Sequence, residues 1–190
     1  MREMIAKALL DKGLKLASSH HGEEAIAVYE DLLARFGDAT TELALRELVA
    51  KALLNKGATL GTLGRTGEAI AAYDDLLGRF GNATEAPLRE LIMKALFNKG
   101  STLNALYRGE EAIAVYDDLL ARFGSATELA LQELVVKALC NKGTTLNDLY
   151  RNAEAIAVYD DLLARFGTAT EPSLRWLVSM VRSMKDRPRW

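Results

Sequence analysis

The stretch Lys94–Gly124, KALFNKGSTLNALYRGEEAIAVYDDLLARFG, occurs four times in this chain with few changes. The other copies are Lys7–Gly37, Lys51–Gly81 and Lys137–Gly167. The marker glycines Gly13, Gly57, Gly100 and Gly143 stand 44, 43 and 43 residues apart. Near-identical segments at a fixed period do not collapse into one central core. Each segment buries its apolar face against its neighbours, which gives a chain of stacked units. The one extra residue falls between Gly37 and Lys51, where an insertion is cheapest in a surface loop.

Each unit holds two helical patterns. In the third, Leu88, Leu91, Ile92, Ala95, Leu96, Leu103 and Leu106 form one apolar stripe of a long first helix. Ala112, Ile113, Tyr116, Leu119, Leu120 and Phe123 form the stripe of a second. Short turns such as 107–109 make the two antiparallel neighbours. Gly37, Gly81, Gly124 and Gly167 follow Arg-Phe pairs and are expected to end the second helices in the left-handed conformation. Thr41, Thr84, Thr127 and Thr170, each before a Glu, are expected to N-cap the next first helix. Pro87 and Pro172 fit its first turn.

Composition narrows function. With 49% hydrophobic residues and 3 prolines the chain can fill a continuous core and is not a disordered linker. A net charge of −2 gives no basic face for nucleic acid. No apolar run reaches the roughly 18 residues of a membrane span. Cys140 is the single cysteine, so no internal disulfide forms, which suits a reducing compartment. Met1 begins at the place of Leu88, inside a first-type helix, as in a piece of a longer array. Glu3, Lys7 and Asp11 at helical spacing do not suit a signal peptide. The reading is a cytoplasmic protein.

At Leu53, Lys56, Gly57, Leu60, Gly64, Ala69, Tyr73 and Gly81 the second unit resembles the tetratricopeptide repeat (TPR), with Leu for Trp, Lys for Leu and Gly for the closing Pro. The units are longer than the usual 34 residues or so. The resemblance implies an all-α, right-handed solenoid of antiparallel helix pairs. It would be a single domain over 1–190, with units at about 1–40, 41–83, 84–126 and 127–169 and a capping helix at 170–187. It also implies a concave face lined by first-type helices and a non-enzymatic scaffold that binds a peptide or partner-protein segment there. The alternative is a structural or self-assembling repeat module, native or consensus-like, with no dedicated ligand.

No catalytic constellation, zinc spacing or phosphate loop is present in the sequence, so no metal or cofactor is expected. His20 and His21 read as solvated turn residues. Cys140 stands where other units have Leu10, Leu54 and Phe97 and reads as a small hydrophobe. The candidate groove residues are Lys51, Asn55, Lys94, Asn98, Lys137 and Asn141, which by the resemblance fall on the concave surface. An ammonium and an amide side by side can hold a carboxylate or a peptide backbone. The competing reading pairs Glu47 with Lys51, and its copies, as intrahelical ion pairs.

In the last helix this row becomes Trp176, Met180 and Met184, while Leu174, Leu177, Val178 and Val181 supply the core. A second apolar face wants a cover. The candidates are the tail ending in Trp190, a bound peptide, or a second chain pairing through this helix as a homo-oligomer.

Overall fold

The computed structural model describes residues 1–38 and 41–185, except the side chain of Met184. Among the described residues there are nine α-helices and no strand. They are α1 Arg2–Ser18, α2 Gly22–Phe36, α3 Leu43–Thr62, α4 Thr66–Phe80, α5 Ala86–Ala105, α6 Gly109–Phe123, α7 Leu129–Asp148, α8 Asn152–Phe166 and α9 Pro172–Lys185. The odd-numbered helices are the first type and α2, α4, α6 and α8 the second. The chain folds into two compact units, Met1–Thr102 and Leu103–Trp190.

Within each unit, second-type helices bury most of the stripe read from the sequence, with Leu120 half-buried and Ile156 exposed. In α2 it is Ala25, Ile26, Tyr29, Leu32 and Phe36. In α8 it is Ala155, Tyr159, Leu162 and Phe166. The marker glycines let the two helices of a pair approach closely. A Cβ on Gly13, Gly57 or Gly143 would lie 2.4, 2.5 or 2.3 Å from a ring carbon of Tyr29, Tyr73 or Tyr159. A larger residue there would overlap the tyrosine ring that lies across the helix.

Two expectations about helix ends are corrected. Gly37, Gly81, Gly124 and Gly167 are right-handed, with φ between −61° and −53°. Their N–H groups donate to Leu33, Leu77, Leu120 and Leu163 O at 2.8 Å. Glycine is needed there because a Cβ would come within 2.3–2.4 Å of that same carbonyl oxygen. The left-handed residues are at the other helix type, in the turn after the first helix: His20 (φ 62°), Gly64 (75°), Tyr107 (58°) and Tyr150 (60°). There Gly64 N–H donates to Gly61 O and Arg65 N–H to Leu60 O, the paired bonds of a Schellman end.

Nor does Thr cap the first-type helices. The N-cap residues of α3 and α7 are Glu42 and Glu128, without a side-chain capping bond. Glu85 takes its own N–H and the Arg46 guanidinium, and these hold its carboxyl below the usual range. Acid at a helix start is favoured by the exposed N–H groups and the dipole, and here an arginine from the preceding first helix engages it as well. Arg2 reaches Glu42 at 3.2 Å and Arg46 reaches Glu85 at 2.5 Å. Pro172 opens α9, as the sequence indicates.

Candidate functional site

Charged side chains pin neighbouring repeats in register. Lys56 meets Glu30 at 2.8 Å, Lys99 meets Asp74 at 2.6 Å and Lys142 meets Asp117 at 2.5 Å. Arg65 clamps Glu68 of its own helix and Glu23 one repeat earlier, and Arg151 does the same with Glu154 and Glu110. These partners raise both guanidinium pKa values and lower those of Glu68 and Glu154. The within-helix Asp–Arg pairs 31–35, 75–79, 118–122 and 161–165 are all formed. At exposed sites such pairs contribute only tenths of a kcal/mol each.

The candidate groove residues divide. Lys51 and Lys94 each pair with the glutamate four residues earlier at 2.5 Å and remain 41% and 43% exposed. Lys137 is half-buried, and no ion pair joins it to Glu133 among the described residues. Two of the three lysines are therefore already neutralised, which weakens them as anion holders.

The asparagines serve the tyrosines. Asn98 hydrogen-bonds the Tyr73 hydroxyl, whose pKa burial nevertheless pushes up to about 12. Asn141 Nδ2 donates to Tyr116 Oη at 3.2 Å. Asn55 departs from this pattern and donates instead to Lys51 O at 2.7 Å. The hydroxyl it could have met, Tyr29 Oη, is fully buried and has no hydrogen bond of normal geometry among the described residues. Burial raises the Tyr29 pKa, and nearby Thr59 offsets this only in part. The Thr59 hydroxyl donates to Asn55 O at 2.8 Å and keeps its lone pairs to accept from Tyr29 Oη.

Asn55 also borders a cleft of about 500 Å³ between α1, α3 and the turn after α1. Leu14, Ala17, Ala58, Thr59 and Leu63 are among its walls, and Tyr29 lies at its floor. Leu14 and Leu63 are 40% and 42% exposed, so the cleft presents apolar surface rimmed by the Asn55 amide and the Thr62 hydroxyl.

Unit two carries a side-chain hydrogen bond at the matching place. Ala17 stands four residues after Gly13, where the third repeat has Asn104 after Gly100. Asn104 Nδ2 donates to Thr145 Oγ1 at 2.7 Å, and Thr145 is the counterpart of Thr59. Sequence reasoning missed this cleft. The signal was available in the aligned repeats as the series Ala17, Gly61, Asn104, Asn147, which changes size and polarity together with its neighbours Leu14, Ala58, Ser101 and Thr144.

The last helix carries the other candidates. Trp176 is 65% exposed and Met180 is half-buried. The Met184 side chain and Trp190 lie outside the described residues. A second cleft of about 460 Å³ lies beside α9, with Phe166, Arg175, Trp176 and Arg182 on its walls. Arg182 Nη2 donates to Gly167 O at 3.0 Å and so satisfies the end of α8.

Chemistry is not apparent elsewhere. Cys140 is buried, and desolvation pushes its thiol up to about 11, which leaves it protonated and unreactive at neutral pH. His20 and His21 are exposed in their turn. Among the described residues no three His, Cys, Asp or Glu side chains are grouped to hold a metal ion. No described helix is long and apolar enough to cross a membrane.

Residues 50–82 match the tetratricopeptide repeat family model. The fold is similar to that of a tetratricopeptide repeat protein from Parabacteroides merdae ATCC 43184, with a TM-score of 0.65 and 17% identity. The similarity covers 95% of this chain and 60% of that one. No curated protein matches the chain by sequence. The repeat match and the shared fold, together with the helix pairs above, make this a TPR-like helical-repeat protein.

Proposed function

We propose that this TPR-like chain is a non-enzymatic scaffold that holds an extended segment of a partner protein against its first-type helices. TPR repeats generally mediate protein–protein interaction. The observation that carries the reading here is the cleft between α1 and α3, with apolar walls and the Asn55 amide and Thr62 hydroxyl at hand. An extended peptide offers apolar side chains and backbone carbonyls in alternation, the chemistry such a cleft accepts. Lys51 lies one turn from Asn55, and Lys94 and Lys137 occupy the same place on α5 and α7. Lys137 supplies positive charge toward an acidic segment directly, and Lys51 and Lys94 do so once Glu47 and Glu90 yield. Four repeats and the terminal helix form one domain in this reading.

The test is selection of random 12-residue peptides on the full chain, followed by titration of the enriched sequences by fluorescence anisotropy. Ala17→Asn, which puts at the cleft the side chain that Asn104 supplies in unit two, should weaken binding by about tenfold or more. The triple variant Lys51→Glu, Lys94→Glu, Lys137→Glu should abolish binding of acidic peptides with helicity intact. Affinities unchanged in both variants would reject the groove.

A second reading rests on Trp176, an exposed aromatic beside the half-buried Met180. It makes α9 the contact through which two chains pair. Solution mass by light scattering decides it, since a monomer at high concentration excludes pairing and a dimer dispersed by Trp176→Glu supports it.

A further inference from the structure

The turns after the first-type helices carry an inference independent of the groove. Their left-handed residues form one series, His20, Gly64, Tyr107 and Tyr150. Glycine suits such a turn, whereas a bulky side chain at positive φ is strained. Tyr107 and Tyr150 nevertheless take φ of 58° and 60°. Burial does not offset that strain, because Tyr107 is 97% and Tyr150 90% exposed. Backbone strain that gains nothing for the fold is characteristic of sites that bind or react.

The two rings stand on adjoining turns of the second unit that are pinned together. Gly109, two residues after Tyr107, packs against Leu149, which precedes Tyr150, and a Cβ on Gly109 would lie 3.1 Å from Leu149 Cδ1. Arg151, which follows Tyr150, reaches Glu110 at 2.8 Å. Tyr107 has the next repeat's turn beside it and is still the more exposed of the two. A neighbouring turn therefore does not cover these rings. The surroundings are acidic: Glu110, Glu111, Glu154 and the exposed Asp148 stand against two guanidiniums, those of Arg108 and Arg151.

We propose that Tyr107 and Tyr150 dock a proline-rich segment of another protein in the polyproline II conformation, with a basic residue beside the prolines. Successive turns of a packed helical array lie roughly 8–10 Å apart, one helix spacing. One polyproline II turn of three residues rises about 9 Å, so prolines three apart meet the two rings in succession. Each tyrosine hydroxyl can donate to the carbonyls that this conformation leaves unpaired. Exposed aromatic side chains recognise such segments, and the stiffness of the ligand lowers the entropy lost on docking. A second copy of the chain does not supply this ligand, because Pro87, Pro172 and Pro188 are isolated in its sequence.

The probe is an acetylated, amidated decaproline with one arginine at its start, titrated into the full chain while the ring resonances of Tyr107 and Tyr150 are followed by NMR. Saturable shifts at both rings are expected. Tyr107→Gly or Tyr150→Gly should weaken binding about tenfold, and the double variant should abolish it. Gly64 shows that this turn accepts glycine, so neither variant should lower the Tm. A glycine–serine peptide of equal length and charge should not bind, and Ala17→Asn, which alters the groove, should leave the affinity unchanged. The proposal is overturned by absent shifts at millimolar peptide, by equal binding of the glycine–serine peptide, or by affinity that survives the double variant. Affinity lost in Ala17→Asn overturns it as well, because the segment then lies in the groove. So does a wild-type dimer that the double variant converts to monomer, because the rings then meet a second copy.

Discussion

The two units solve the same packing problem with different polar chemistry. Beside α1 and α3, Ala17 borders a cleft, Thr59 donates only to its own helix, and Tyr29 Oη is buried without a hydrogen bond of normal geometry. In the second unit Asn104 spans to Thr145, and Tyr116 Oη receives Asn141. Several side chains differ between the two places, Leu14, Ala17, Ala58 and Thr62 against Ser101, Asn104, Thr144 and Asp148, and of these Asn104 makes the bond to Thr145. The backbone scaffold and the glycine–tyrosine contacts beneath are the same. An unpaired buried hydroxyl costs about 1–3 kcal/mol, so unit one carries a local destabilisation where it has open surface. Such a region is suited to binding, because a ligand or a rotamer change can supply the missing contacts.

The comparison breaks most visibly at the glycines. Gly143→Ala should lower stability by about 1–3 kcal/mol, because its Cβ meets the Tyr159 ring. Gly13→Ala should cost less, since Tyr29 adjoins the cleft and can shift into it. Equal losses in thermal or denaturant unfolding would mean that the cleft gives no room.

Asn104→Ala should cost about 0.5–1.5 kcal/mol, the value of a typical hydrogen bond, and should create in unit two a cleft like that of unit one. Urea unfolding measures the first, and uptake of a small apolar probe followed by NMR at Leu149 and Thr145 measures the second. No change in either would make the Asn104–Thr145 bond incidental.

The hydroxyls should respond in opposite directions. Tyr116→Phe loses the Asn141 bond and should destabilise by roughly 0.5–1.5 kcal/mol, while Tyr29→Phe removes an unpaired buried group and should be neutral or stabilising. A loss at Tyr29 equal to that at Tyr116 would show that Tyr29 has a partner in solution.

Alkaline pH probes the two cores through their buried ionisable groups. Tyr73 and Cys140 have folded-state pKa values raised to about 12 and about 11, from 10.0 and 9.0. A raised value means the folded chain holds its proton more tightly. The associated stability is present below pH 9 and is lost as pH rises, from 9 to 11 for Cys140 and from 10 to 12 for Tyr73. Cys140→Val should flatten the stability profile between pH 9 and 11 and leave the later fall in place. An unchanged slope there would exclude the buried thiol as its source.

Much of the architecture was legible in the sequence because periodicity is a local property. The stripe Ala112, Ile113, Tyr116, Leu119, Phe123 predicts α6, and the recurrence of Gly57 predicts a close helix contact, which Tyr73 makes. The ends were less legible. Glycine suits both a left-handed turn and a tight approach to a carbonyl, and composition does not distinguish them. Gly37 serves the second use, whereas Tyr107 and Tyr150, which no propensity favours at positive φ, hold the left-handed turns. Thr before Glu likewise reads as a cap until an arginine one repeat earlier is seen to engage the Glu.

The sequence by itself determined the helix pairs, their period and the lysine that recurs in every first-type helix, since each follows from spacing along one chain. Only the tertiary structure decided which of those lysines find an acid, that Asn55 leaves Tyr29 for Lys51 O, and that Ala17 borders a cleft where Asn104 reaches Thr145. The physical reason is that pairing and void are properties of two surfaces brought together. A near-identical repeat presents the same surface each time, but its neighbour differs, and the energy lies in the match between them.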